Sequence, residues 1–157
     1  MKGLIFSQYF WPENFKINEI SEEFSKKFNI DVLTSYPNYP QGKVFSDFKN
    51  NKKKFNKYKN INIYRVPQFP RGSGGRIRII INYFSFIISS LMKIFFLKKN
   101  YDFLFIFAPS PIFAAFAGII LGKIIKCKVY IWVLDIWPET LKELKIIKSS
   151  IILKIID

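Results

Sequence analysis

Short uninterrupted apolar runs alternate with amphipathic stretches along this chain. Leu4-Ile5-Phe6 stops at polar Ser7 and Gln8, and Ile30 to Thr34 closes into the turn-rich Tyr36-Pro37-Asn38-Tyr39-Pro40-Gln41-Gly42. Phe103 to Phe107 and Lys128 to Leu134 repeat the pattern, and Ile61 to Val66 reads as a further strand. Runs of this length and continuity read as strands buried on both faces. From Asn18, the apolar residues Ile20, Phe24 and Phe28 recur at helical spacing between Glu19, Glu22, Glu23, Lys26 and Lys27. That spacing predicts an amphipathic helix, with acids early and lysines late as its dipole favours. A long helix is expected from Arg76 and a small-residue helix from about Phe113 to Lys126. Lys49 to Lys59 is polar and without apolar period, and predicts a mobile loop. Pro67 to Gly75, with two Pro and three Gly, predicts a second loop.

Strands alternating with helices predict an α/β fold, a Rossmann-like doubly wound parallel sheet covered on both faces. Its loops after Phe6, Thr34, Phe107 and Leu134 should share the carboxyl edge, where such sheets bind ligands. The chain ends at Ile151-Ile152-Leu153-Lys154-Ile155-Ile156-Asp157 inside an apolar helical run, so the domain, 1–157, reads as truncated.

With 157 residues, half of them hydrophobic, the chain has the material for one domain with a real core, not a disordered tail. One cysteine, Cys127, excludes a disulfide framework or a thiolate cage, and the lack of histidine removes the commonest metal ligand and general base. No metal site is expected. The 25 Lys and Arg against 11 Asp and Glu give +14, which predicts attraction to an anionic partner such as a membrane surface or a phosphorylated ligand. A/T-rich codon usage accounts for part of the lysine excess under the competing account. No nucleic-acid recognition motif accompanies the charge, so nucleic acid is not expected as a partner. The N-terminal apolar run is too short for a secretory signal. Ile79 to Leu97 approaches the length of a membrane span, but Asn82 and Lys93 interrupt it and cations flank both ends. These features favour a buried or interfacial helix of a globular domain.

Aromatic, amide and carboxylate side chains crowd the loops after three strands. Aromatics pack on the apolar face of a pyranose while amides and carboxylates bond its hydroxyls, so these loops suit a sugar site. Glu13, Asn14, Lys16 and Asn18 are candidates to face the phosphates or the sugar of a ligand; helix capping by Asn14 or Asn18 is the competing account. Asn38 and Tyr39, between two prolines, form a stiff loop with outward side chains, either a ligand contact or an ordinary turn. Asp135 ends an apolar run where a carboxylate is costly unless used or bonded, and a helix N-cap is its alternative. Trp137 and Glu139 share its loop, which also reads as a Pro-started helix with an acidic first turn.

Those residues lie in SQYFWPENFKIN, SYPNYPQGKVF, YRVPQFPRGSGGRIRIIINYFSF, APSP and WVLDIWPE, in that order. Together they resemble the family-4 glycosyltransferases of bacterial surface-polysaccharide synthesis, the O-antigen and colanic-acid types most closely. The resemblance covers nearly all of the chain. It implies the N-terminal, acceptor-binding half of a GT-B fold of a retaining enzyme. That half would act with a nucleotide-sugar donor, without cofactor or metal, on a growing saccharide, expected to be polyprenyl-diphosphate-linked. The expected location is cytoplasmic, peripheral on the inner face of the bacterial cell membrane. By the same resemblance, Asp135 orients or deprotonates the acceptor hydroxyl. Backbone amides and guanidinium groups of the loop carrying Arg71 and Arg76 would meet the diphosphate of a lipid-linked acceptor, with a plain solvated loop as the competing account. Lys16 stands where the family pattern leads one to expect arginine, keeping the charge without the fork. The donor-binding half lies outside these residues. The alternatives are therefore a non-catalytic, membrane-associated binding subunit working with a separate donor-binding chain, or an inactive truncated product.

Overall fold

A computed structural model describes residues 1–97, 100–109, 112 and 115–134. The apolar runs form β1 (Lys2–Ser7), β2 (Asn29–Ser35), β4 (Ile61–Val66), β5 (Phe103–Ala108) and β6 (Lys128–Val133). A two-residue strand, β3 (Lys57–Tyr58), is added antiparallel to β4. The sheet order is β3-β4-β2-β1-β5-β6, and every pairing except β3–β4 is parallel. The chain thus builds outward from β1 through β2 to β4, crosses over, and continues on the other side with β5 and β6. The fold is α/β and Rossmann-like, with its topological switch between β1 and β5.

Helix α1 (Ile17–Ser25) covers one face, where Ile5, Phe10, Ile17, Val32 and Phe107 form a buried cluster. The helix ends one residue before Lys26, so Lys26 and Lys27 fall in the following turn instead of its last turn. Helices α3 (Arg76–Ile94) and α4 (Ala115–Ile125) cover the other face. There Leu4, Phe6, Leu33, Phe86, Ile94, Leu104 and Ile106 are buried together. Phe113 and Ala114, expected to open the small-residue helix, lie outside the described residues.

Two expectations are corrected. Lys49 to Lys59 is not a loop: α2 (Ser46–Asn50) is followed by a 3-10 turn over Lys52–Asn56 and then by β3. Phe48 and Phe55 are its anchors, buried against each other and against Tyr36 and Trp11, while the lysines between them stay exposed. Nor is Lys128 to Leu134 a buried strand. β6 lies at the sheet edge and Tyr130, Ile131, Trp132 and Leu134 are exposed. An apolar run records strand propensity, but topology sets how many of its faces are covered.

The long apolar stretch is a domain helix whose sheet-facing line is Asn82, Phe86, Ser90 and Ile94. Asn82 Oδ1 accepts from Gln8 Nε2 (2.9 Å), which also donates to Gln68 Oε1 (3.2 Å), and Asn82 Nδ2 donates to the Phe69 carbonyl (2.6 Å). A buried amide needs such partners, and this set fastens α3 to the end of β1.

Candidate functional site

The loops leaving the carboxyl ends of the strands are tied to one another through buried polar groups. Gln8 O, just past β1, accepts from the Ser35 backbone N–H (3.3 Å), Ser35 Oγ (2.6 Å) and Thr34 Oγ1 (3.2 Å) at the end of β2. Glu13 extends the link. Its Oε1 accepts from the backbone N–H groups of Asn38 (2.8 Å) and Tyr39 (2.7 Å), and its Oε2 from that of Phe10 (3.3 Å). Only 2% exposed, Glu13 is pushed up to about 7 by burial, against the pull of these three donors and of Arg65. Arg65 donates to the carbonyls of Ser35 (3.0 Å), Phe55 (3.0 Å) and Trp11, and burial lowers it to about 10 against the opposing charge of Glu13. Asn18 Oδ1 accepts from the Trp11 N–H (2.9 Å) and Asn18 Nδ2 donates to the Glu13 carbonyl (2.8 Å). The bonds Trp11–Pro12 and Tyr39–Pro40 are cis.

A backbone contact joins the second loop to the third. Gly72 N–H donates to the Gly42 carbonyl (2.8 Å), and a Cβ at Gly42 would lie 1.9 Å from the Gly72 oxygen. With φ of +69°, Gly42 occupies a conformation and a space that a side chain would contest. The glycines of the two loops therefore set how closely they approach.

These links bring the end of each parallel strand to one cleft. Tyr9 and Phe15 come from the loop after β1, Tyr39 from that after β2, Arg71 from that after β4, and Pro109 and Leu134 from the ends of β5 and β6. Tyr83 of α3 closes the wall. The cleft measures about 390 Å³, within the ~300–1,000 Å³ usual for small-molecule sites. Its centre is Arg71. The guanidinium lies 5.5, 5.7 and 5.3 Å from the ring centres of Tyr9, Tyr39 and Tyr83, and it donates to the Tyr83 hydroxyl. Tyr9 stacks on Phe15 with ring centres 4.8 Å apart.

Among the described residues, two polar atoms of this wall are buried without a partner, Tyr9 Oη and Arg71 Nε, and Asn38 Oδ1, behind the Tyr39 loop, is another. Native proteins rarely leave such groups unmatched, because each costs ~1–3 kcal/mol. Burial raises the Tyr9 and Tyr83 phenols, with Arg71 pulling against it, so both stay protonated and can donate. The cleft therefore offers the Tyr83 phenol and a planar, aromatic-backed cation to a ligand with anionic and hydroxyl oxygens, with the Tyr9 phenol buried beside them.

The fold separates the candidate residues into groups. Tyr39 and Arg71 line the cleft. Glu13, Asn18 and Asn38 stand behind it and bond backbone; Asn38, expected to point outward, is fully buried, with Nδ2 donating to the Tyr36 carbonyl (3.0 Å). Neither Asn14 nor Asn18 caps α1, whose N-cap is Lys16 without a side-chain bond. Asn14 and Lys16 are exposed, Lys16 pairing with Glu19, and Arg76 is exposed at the start of α3. Trp11 packs against Tyr58 and Phe55. Asp135, Trp137 and Glu139 lie outside the described residues. Tyr9 and Tyr83 are cleft residues that the sequence does not single out. Tyr83 has one signal, its place beside Asn82 as a second polar residue in an apolar helix.

Among the described residues no cluster of acidic and thiol side chains has the makings of a metal site. A second groove, of about 340 Å³, lies at the opposite, amino edge between Phe24, Phe28, Phe103 and Tyr130. It is mostly apolar, with Asp102 and Lys128 also in its lining, and holds none of the candidate chemistry.

No family model and no curated protein matches the chain. Among solved structures it is similar to the C-terminal domain of a hydrogenase from Pyrococcus furiosus. That likeness has a TM-score of 0.50 at 10% identity, covering 83% of this chain and 89% of that one. At such identity the likeness concerns the sheet and its helices, and supports the α/β assignment alone.

Proposed function

We propose that this chain is the acceptor-binding half of a glycosyltransferase, which passes a sugar from a nucleotide-sugar to a growing, lipid-linked surface polysaccharide. The observation that carries the reading is the cleft itself. Residues from three of the quoted sequence segments meet around Arg71, and Tyr9 Oη and Arg71 Nε in its wall have no partner among the described residues. Aromatic faces suit a sugar ring, and the guanidinium suits the phosphate that links it to a lipid. Leu134 lines the same cleft and Asp135 follows it in sequence. The resemblance assigns Asp135 to the acceptor hydroxyl, and its place in the fold lies outside the described residues.

A dinucleotide site, the other use of this sheet order, fits poorly. Ser7 to Lys16 contains no glycine, so the backbone cannot approach a diphosphate as a glycine-rich turn does. The start of α1 is also set back from the end of β1 by the long Trp11–Phe15 loop. Chemistry in the complete enzyme would rest on placing the acceptor hydroxyl and stabilising charge on a donor that brings its own leaving group.

The test is ligand-observed NMR on the whole chain with a saccharide carried on a short prenyl diphosphate, compared with a nucleotide-sugar alone. The reading expects the saccharide diphosphate to bind, and Arg71→Ala to weaken it by ~10-fold or more, the scale of a lost charge-assisted pair. Preferential binding of the nucleotide-sugar, or saccharide binding indifferent to Arg71→Ala, would overturn it.

A further inference from the structure

Helix α3 is built inside out. The line it turns to the sheet contains Asn82 and Ser90 beside Phe86 and Ile94, whereas its outward line is wholly apolar. Ile77, Ile81, Phe84, Ile88, Met92 and the C-cap Phe95 follow one another at steps of four, three, four, four and three residues, which is five helical turns in eighteen residues. All six are exposed, Phe84 by 60% and Ile88 by 56%. A soluble helix carries its polar residues on this side. Phe116 of α4 is exposed as well, and an apolar groove of about 480 Å³ runs between the two helices past Phe84 and Ile87. Contiguous patches of this kind mark a surface that meets something apolar.

Charge indicates what that is. From Phe48 to Leu134 the chain carries one acidic residue, Asp102, and 16 lysines and arginines. Arg76 and Arg78 occupy the first turn of α3, which has no acid, although a helix N-terminus disfavours cations. We infer that the outward face of α3 docks this domain onto an anionic lipid bilayer, with α3 lying in the plane of the interface and Arg76 and Arg78 at the headgroups. A second copy of the chain is a poor occupant, since it would bring +14 against +14. Spanning is also disfavoured. Turning α3 across a bilayer would strip Phe86 and Ile94 from the core and part Asn82 from Gln8. Interfacial helices combine such an apolar face with cations that attract acidic lipid.

The test is co-sedimentation of the whole chain with vesicles of phosphatidylcholine alone or mixed with phosphatidylglycerol, over a range of NaCl. Binding should favour the anionic vesicles by ~10-fold or more and weaken, without vanishing, as the Debye length shrinks from ~10 to ~3 Å. Phe84→Asp with Ile88→Asp changes only exposed positions and should remove the salt-resistant part of binding, with near-UV circular dichroism unchanged. Arg76→Gln with Arg78→Gln leaves the apolar face intact and should flatten the salt dependence. Equal binding to both vesicle types, or binding to neither, overturns the inference. So does resistance to alkaline extraction, which would mean a span. A dimer that Phe84→Asp dissolves while vesicle affinity stays unchanged overturns it in favour of self-association.

Discussion

Removing the Glu13 carboxylate should loosen the candidate site from behind and destabilise the domain at the same time. In Glu13→Ala, the N–H groups of Phe10, Asn38 and Tyr39 lose their acceptor. Each orphaned buried donor costs ~1–3 kcal/mol. The longest bond, from Phe10 at 3.3 Å, contributes least, and water entering the vacated space recovers part of the loss at the half-exposed Tyr39. A net loss of ~3 kcal/mol is expected, a large share of the ~5–15 kcal/mol of a whole domain. At ~2–4 °C per kcal/mol for a chain of this size, Tm should fall by about 6–12 °C.

The pH dependence provides a second, independent reading of the same group. Burial raises Glu13 from 4.5 to about 7, so between those values the folded state holds a proton that the unfolded state has released. The stability tied to that proton is complete below pH 4.5 and lost as pH rises through 7. At 1.36 kcal/mol per pH unit, the full loss is ~3 kcal/mol. Glu13→Gln keeps an acceptor for Asn38 and Tyr39 but has no proton to release. Urea unfolding from pH 4.5 to 8 should therefore show wild type losing ~3 kcal/mol relative to Glu13→Gln. A difference that is flat with pH, or a Glu13→Ala penalty under ~0.5 kcal/mol, the range of ordinary surface changes, would refute the account of this carboxylate as a buried bracket between loops.

Other outcomes follow from the same geometry. Asn82→Leu should cost ~1–3 kcal/mol in chemical unfolding, because Gln8 Nε2 and the Phe69 carbonyl each lose a partner in a buried network. Tyr101→Phe removes one donor from Asp31 Oδ2, which would keep Lys2 at 3.0 Å, and should lower stability by ~1–2 kcal/mol. Arg71→Lys should leave Tm nearly unchanged yet weaken saccharide-diphosphate binding by ~10-fold, since lysine retains charge without the planar fork between the tyrosines. Once a donor-binding half is supplied, Asp135→Asn should cut turnover by ~10²-fold or more, and near-normal turnover would return Asp135 to a capping role.

The strands and the long helices were legible because continuous apolar runs and helical periodicity are local signals. What depends on distant segments was not. Phe48 and Phe55 are isolated in a lysine-rich stretch, and only Trp11, Tyr36 and Arg65, remote in sequence, make a buried anchor of them. The run Lys128–Leu134 has the composition of a buried strand, and its exposure follows from its place at the end of the sheet order. At the site, the residue types were readable but their direction was not. Glu13, Asn18 and Asn38 have the chemistry of ligand contacts, yet Asn18 and Asn38 bond backbone within their own loops and Glu13 bonds the backbone of a loop 25 residues away, which the sequence alone does not bring near. The Arg71 cage needs Tyr9, Tyr39 and Tyr83 from three separate elements, so no window of sequence displays it.

Helix α3 joins the cleft to the outward surface through three consecutive residues. At 100° per residue, Asn82 turns to the sheet, Tyr83 to the cleft and Phe84 to the outside, where they bond Gln8, hold Arg71 and head the apolar face respectively. Because Asn82 fixes the rotation of the helix, it fixes the other two as well. A rotation large enough to bury Phe84 would take Tyr83 off Arg71 and open the cleft wall. The cleft and the outward apolar stripe are therefore held at one relative angle by the two buried hydrogen bonds of Asn82, to Gln8 and to the Phe69 carbonyl, together with the packing of Phe86 and Ile94. On this account Asn82→Leu should weaken saccharide-diphosphate binding as well as stability, although residue 82 does not line the cleft. Unchanged affinity in a folded Asn82→Leu protein would show that packing alone sets the helix rotation.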